Sequence, residues 1–255
     1  MSYLNKLQKK VKSILGINQK KIDSPSYVAA RKKMYAQFFT GTGDLYFDVG
    51  ANMGNRIEPL IDMGLKIVAI EPQKKCFEYL QKKYEDKITV VPKGLGEKDG
   101  VLDMFIADTS TISSFSREWI ESTKQSGRFS RNNWNETVQI EITTLDNVIA
   151  EHGLPKFIKI DVEGFELQVL KGLSQPVEFI SYEYVMPERK QAVVDCINRI
   201  LEIAGEKKVV FNYSIDESMD FYFAGWVDEQ EMRQEIESNR FSKSSFGDLY
   251  AKTYL

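Results

Sequence analysis

At 255 residues, with 42 % hydrophobic and 12 % aromatic side chains, the chain has enough apolar material for one α/β core and too much to remain disordered. A net charge of −3 gives no field that would gather a polyphosphate, which argues against nucleic acid as a partner. Cys76 and Cys196 stand apart without metal-like spacing and fit reduced structural thiols. With no run of 18 apolar residues and no cleavable leader pattern, a cytoplasmic protein is expected.

Residues 1–40 read as an N-terminal helical arm. Lys6, Lys9, Lys10, Lys12, Lys20 and Lys21 meet only one acid, Asp23, before Ser24. Leu4, Leu7, Val11, Ile14 and Leu15 recur at helical spacing. Such a basic amphipathic segment suits peripheral contact with an anionic membrane, or docking on this domain or a second copy of it. Ser24-Pro25-Ser26 interrupts it, and a second helical stretch takes in Tyr27 and Met34 to Phe39.

An apolar run then ends at Asp48-Val49, and the turn Gly50-Ala51-Asn52-Met53-Gly54 leads into a helix reaching Met63. A second apolar run ends at Glu71-Pro72. This is the order of a βαβ nucleoside-binding unit. Gly50 allows a sharp turn and a close backbone approach, and Glu71 stands where a carboxylate can accept both hydroxyl hydrogens of a ribose. The spacing Gly50-x-x-x-Gly54 is not that of a pyrophosphate loop, and Asp48 would face any phosphate placed there. Like charges about 4 Å apart cost about 4 kcal/mol at an effective dielectric near 20. S-adenosylmethionine, a cationic nucleoside without phosphate, reverses that sign; a nicotinamide dinucleotide does not.

A helix over 73–84 follows, with Phe77, Leu80 and Tyr84 on one face, then a third strand over 88–91 and the turn Pro92-Lys93-Gly94-Leu95-Gly96. The βαβαβ order implies parallel strands with right-handed crossovers. Residues 101–106 and 138–142 read as a further strand pair, an added edge hairpin. The polar stretch between them, 109–134, is too long for an idle loop and reads as a substrate lid, helical over 113–122. A buried strand at Phe157-Ile158-Lys159-Ile160 runs into the acidic turn Asp161-Val162-Glu163-Gly164, and a helix ends at Lys171-Gly172. A strand over 177–185 and an amphipathic helix carrying Val193, Val194, Ile197, Ile200 and Leu201 come next. Residues 207–213 and 219–227 read as a closing hairpin, and 228–255 as a charged helix and tail.

Three stretches together resemble the FkbM-type family of S-adenosylmethionine-dependent methyltransferases. They are Phe47-Asp48-Val49-Gly50-Ala51-Asn52-Met53-Gly54, then Thr144-Leu145-Asp146, and Lys159 through Leu167 with Leu170-Lys171-Gly172. The resemblance spans roughly 44–185 and implies a Rossmann-like class I methyltransferase fold. That means about seven mostly parallel strands, the last antiparallel, with helices on both faces. The methyltransferase domain is then expected over 41–227, between the arm and the C-terminal helix and tail. The activity implied is methyl transfer from S-adenosylmethionine, leaving S-adenosylhomocysteine, onto a hydroxyl of a sugar, a glycan or a secondary metabolite.

Carried over by residue, the resemblance sets Asp48, Gly50, Ala51, Asn52 and Gly54 around the methionine end of the cofactor and Glu71 on its ribose. Pro72, Leu95 and Gly96 border the adenine, and Asp161 and Glu163 stand beside the methyl group. An alcohol acceptor loses a proton, so a carboxylate base is needed; Glu163, Asp161 and Glu183 are the candidates, Glu163 first. Their spacing is no metal motif, and no metal is expected. Glu166 reads as a helix N-terminal acid and His152 as a helix C-terminal cation. Tyr182, Tyr184 and Phe165 line an acceptor pocket or fill the core. Two other readings stay open: a nitrogen or nucleic-acid acceptor, although the fourth-strand turn lacks an Asn/Asp-Pro-Pro-aromatic tetrad, and a nucleoside-binding module without turnover.

Overall fold

The computed structural model describes residues 24–216 and 218–255, so the basic amphipathic segment expected before Ser24 lies outside the described residues. Helix α1 (Pro25–Tyr35) begins where Ser24 accepts a hydrogen bond from the Tyr27 N–H and Pro25 fixes the first turn. A turn beyond it leads to Phe38, whose ring packs on Phe157 at 4.5 Å, Phe179 at 5.2 Å and Tyr250 at 5.6 Å. The second helical stretch is thus a plug on one face of the central sheet.

That sheet takes β1 (Leu45–Val49), β2 (Lys66–Ile70), β3 (Thr89–Val91), β7 (Phe157–Ile160), β8 (Phe179–Val185), β9 (Val209–Tyr213) and β10 (Phe246–Thr253). Their order is β3-β2-β1-β7-β8-β10-β9. The first five are parallel, and β10 runs antiparallel to both neighbours. Together with α1, helices α2 (Ile57–Asp62) and α3 (Lys74–Tyr84) contribute buried residues to one side. On the other side lie α5 (Leu145–His152), α6 (Glu166–Lys171), α7 (Lys190–Ala204) and α8 (Glu229–Ile236), which supply Leu145, Val169, Ile197 and Met232 to the larger core. The expected Rossmann-like class I arrangement is the one observed. No helix among the described residues is long and apolar enough to cross a membrane.

Two local readings change. Residues 219–227 do not form the partner of β9; Val227 meets Phe211 in one isolated bridge. Their apolar side chains, Met219, Phe221 and Trp226, instead join the aromatic plug around Phe38. β9 pairs with β10, drawn from the segment expected to be a tail, and β10 is buried almost throughout because it sits between β8 and β9. The strands near 101–106 and 138–142 do pair, as β5 (Gly100–Ala107) and β6 (Trp134–Thr143). They join β4 (Gly94–Leu95) in a separate three-stranded sheet and do not extend the main one. Between them, 109–134 holds a 3-10 turn over Ser110–Ile112 and helix α4 (Arg117–Gln125), capped by the Ser116 side chain.

The small sheet meets the main domain where Gly96, just past β4, packs on Gly172 at the end of α6. A Cβ at Gly172 would fall 2.2 Å from the Gly96 carbonyl oxygen, so backbone must move to admit one. Gly172→Ala is expected to destabilise the fold by about 1–3 kcal/mol in denaturant unfolding. At Gly225 an added Cβ meets nothing within 4 Å, and Gly225→Ala is expected to stay within about 0.5 kcal/mol of the parent.

Candidate active site

The strand order reverses between β1 and β7, where ligands sit in open α/β sheets, at the carboxyl ends of the strands. A cleft of about 380 Å³ opens there. Its floor is ionic. Lys159, on β7 and in register with Asp48 on β1, is 2 % exposed, and its Nζ lies 2.6 Å from Asp161 Oδ2. Arg56, the residue capping α2, donates to Asp248 Oδ2 at 3.1 Å and reaches Asp161 Oδ2 at 4.0 Å. Burial works against charge on Asp161, yet Lys159 and Arg56 outweigh it and hold the carboxyl below its ordinary range. Burial pushes Asp48 up, with the same two cations opposing. Lys159 is kept protonated against burial and Arg56 by Asp161, Asp248 and Asp48.

The glycine turn forms the adjoining wall. Gly50 has φ +80°, and a Cβ on it would fall 1.8 Å from the Asp161 carbonyl oxygen, so the β1 turn can lie against the β7 turn only with glycine there. Ala51 and Asn52 line the cleft, Asn52 at φ 47°. Glu71, 2 % exposed, accepts the Asn52 N–H on Oε2 and the Gln73 N–H on Oε1, each at 2.7 Å. Burial raises its carboxyl to about 7, with the two backbone N–H groups opposing. Each oxygen keeps a lone pair for a ligand hydroxyl. Pro72 and Leu95 also face the cleft. Gly54 and Gly96 are not among its lining residues. The α-carbon of Gly54 turns toward Leu80 and Tyr84 of α3, and Tyr84 donates to its carbonyl at 3.0 Å. Gly96 donates to Thr143 and packs on Gly172. Both glycines shape the turns that carry the site.

The third wall gathers the acids. Asp161, Glu163 and Glu183 each offer a carboxylate oxygen, and the three oxygens lie within 4.8 Å of one another. Glu183 arrives from β8 because β7 and β8 pair in parallel, Ile160 beside Tyr182. Burial, then Asp161 and Glu166, lifts Glu163 well above the ordinary carboxyl range. Burial, then Asp161 and Glu163, does the same to Glu183. Such a group can share protons as a unit, or its oxygens could hold a hard divalent cation. The expectation of no metal rested on sequence spacing, which cannot see Glu183 join the other two. Glu166 bends back to accept the Val162 and Gly164 N–H groups, a structural role within the turn.

The 109–134 insert is fastened to both halves of the cleft. Ser114 Oγ donates to the Glu163 carbonyl at 2.6 Å, and Trp119 of α4 covers Gly164 so closely that an added Cβ would fall 2.4 Å from the indole. On the other side, Gln73 donates to the Ser110 carbonyl at 3.0 Å, and Ser110 Oγ lies 3.4 Å from Asn52 Nδ2. The insert expected as a substrate lid therefore touches both the Glu71 side and the acid side of the cleft. His152 closes α5 and is absent from the cleft wall. Tyr182 and Tyr184 are core residues whose hydroxyls donate to the Val193 and Ser214 carbonyls, and Phe165 packs on Phe115 at 5.4 Å.

Sequence reasoning missed Arg56, Asp248 and the role of Lys159. Lysine inside the apolar run Phe157-Ile158-Lys159-Ile160 was a usable signal, since a buried ammonium needs carboxylate partners. Asp248, in a segment read as a tail, gave none.

Among solved structures, the chain overlays on precorrin-6y C5,15-methyltransferase of Geobacter metallireducens with TM-score 0.43 at 9 % identity, covering 94 % of this chain and 93 % of that one. A TehB-like SAM-dependent methyltransferase of Corynebacterium glutamicum gives 0.45 at 8 % identity, with 88 % of each chain covered. A SAM-dependent methyltransferase of Aquifex aeolicus gives 0.41 at 15 %, covering 92 % and 96 %. These overlays are loose, and no curated protein matches the sequence. The methyltransferase FkbM domain family does match, over residues 48–242, most of the chain. The chain belongs to this family and is an S-adenosylmethionine-dependent methyltransferase.

Proposed function

We propose that the protein O-methylates a hydroxyl of a sugar, a glycan or a secondary metabolite. The observation that carries this reading is the Asp161, Glu163 and Glu183 group, with two carboxyls raised well above their usual range, beside the cradle formed by Gly50. When bound, S-adenosylmethionine supplies an electrophilic methyl group on a sulfonium. The cleft suits that cation: Asp48 and Asp161 line it, and the Gly50 cradle admits close backbone approach. Glu71 is set to accept the ribose hydroxyl hydrogens on its remaining lone pairs, with Pro72 and Leu95 bordering the base.

Glu163 takes the acceptor's hydroxyl proton as the oxygen is alkylated. Lys159 keeps Asp161 ionised, and that neighbouring negative charge makes Glu163 the stronger base. Ser114 and Trp119 fix the Glu163 turn, so the insert both covers the acceptor and positions the base. A nucleic-acid acceptor is disfavoured because this wall would repel phosphates.

Glu71→Ala is expected to weaken S-adenosylhomocysteine binding in calorimetry by about 1.5–3 kcal/mol, the range for losing a charged hydrogen-bond partner. Since the raised Glu71 carboxyl accepts fully only when ionised, affinity in the parent should climb as pH rises through about 7, and Glu71→Gln should flatten that rise. Unchanged affinity in the alanine variant would remove Glu71 from the site.

Glu163→Gln keeps the shape and removes the base. On a hydroxyl acceptor identified by labelled-methyl transfer, it is expected to lower turnover about 100-fold or more, with S-adenosylhomocysteine affinity little changed. The parent's rate should rise with pH along a limb above the ordinary carboxyl range, because the base must first lose its proton; the variant should lack that limb. Near-parental turnover in the variant would transfer the role to Glu183.

A further inference from the structure

The cleft wall includes a cation that the family match, which begins at residue 48, does not cover: Arg31 of α1. Its side chain is 2 % exposed and lies over the Tyr27 ring at 4.6 Å. Nη1 donates to the Asn55 carbonyl, just past the glycine turn, and Nε–H has no hydrogen-bond partner among the described residues. The other cations on the wall, Arg56, Lys93, Arg128 and Lys159, each have a carboxylate within 4.0 Å, from Asp248, Glu141, Glu188 and Asp161. Among the described residues, no carboxylate does this for Arg31.

A buried guanidinium without a counter-ion is costly, and an unpartnered N–H aggravates it. A ligand carboxylate would relieve both, since an arginine edge matches a carboxylate in shape and charge. The cofactor's amino-acid end carries one carboxylate and one ammonium. The cleft nearby offers acids, Asp48 and Asp161, that suit the ammonium and repel the carboxylate. We propose that Arg31 binds the α-carboxylate of the cofactor, so that the N-terminal helix completes a site otherwise built by the family domain. This rests on the reading above that sets the methionine end at the Gly50–Gly54 turn.

The test compares S-adenosylhomocysteine with its decarboxylated analogue by calorimetry on the full chain. The parent should prefer S-adenosylhomocysteine by about tenfold or more, the scale of a lost charge-assisted hydrogen bond. Arg31→Met should abolish that preference while binding the decarboxylated analogue as the parent does, an outcome that a merely structural role would not produce. A preference that survives in the variant, or equal weakening of both ligands, would overturn the proposal. So would a parent without the preference, which needs no variant at all. Should methionine at this position prevent folding, Arg31→Gln serves the same comparison with the same readings. Both ligands carry the ribose, so Glu71→Ala should weaken both alike; unchanged binding of both in that variant would mark failure of the Glu71 reading and stays distinguishable from failure here.

Discussion

The site depends on one buried ammonium. Lys159 sits within the apolar strand β7 with Asp48 beside it in register and Asp161 bonded to it. Without that charge the cleft floor would hold Asp48, Asp161 and Asp248 with only Arg56 to offset them, and burial would favour protonating them. With it, Asp161 stays ionised and the acids stacked above are pushed the other way. Removing one member of such a buried set leaves uncompensated charge, which costs far more than the net worth of the pair. Arg56 extends the network from α2 to β10 through Asp248, so the last strand of the sheet is tied electrostatically to the first turn.

The Glu163–Gly164 turn is held under strain by the insert. Glu163 has φ 55° and Gly164 φ 87°; a non-glycine residue in that region costs on the order of 1–3 kcal/mol unless its surroundings fix it. Ser114 on the Glu163 carbonyl and the Trp119 indole against Gly164 are those surroundings. Because Ser110 also meets Asn52 and Gln73, the same insert spans the Glu71 side and the acid side of the cleft. Movement of this segment would be felt on both.

On the opposite face, α1 is seated by aromatic packing that reaches β7, β8 and β10 through Phe157, Phe179 and Tyr250. Tyr35, four residues beyond Arg31 on the same helix, packs on Tyr46 and Phe157. The helix contributes to the cleft through hydrophobic contacts made far from it.

Much of this was legible locally. The Asp48–Gly54 turn, the Glu71 strand tip and the Asp161–Gly164 turn follow from apolar runs and turn residues a few positions apart, and local sterics decide such features. Glutamate at 166 likewise read correctly as a helix-start acid. The errors came where partners are distant. Residues 219–227 have the apolar content of a strand, but 246–253 took the place beside β9, because β-pairing is won by whichever segment fills both buried faces of the gap. Gly54 and Gly96 lie outside the cleft lining and against Leu80, Tyr84 and Gly172, and a glycine's spacing says that backbone comes close, not what it comes close to. The meeting of Glu183 with Asp161 and Glu163, and the pairing of Arg56 with Asp248 across 192 residues, were decided only by tertiary structure. Sequence by itself determined where the chain turns and which acids stand at strand tips; which charges share one buried space depends on strand order, and a low-dielectric interior makes that neighbourhood decide their protonation.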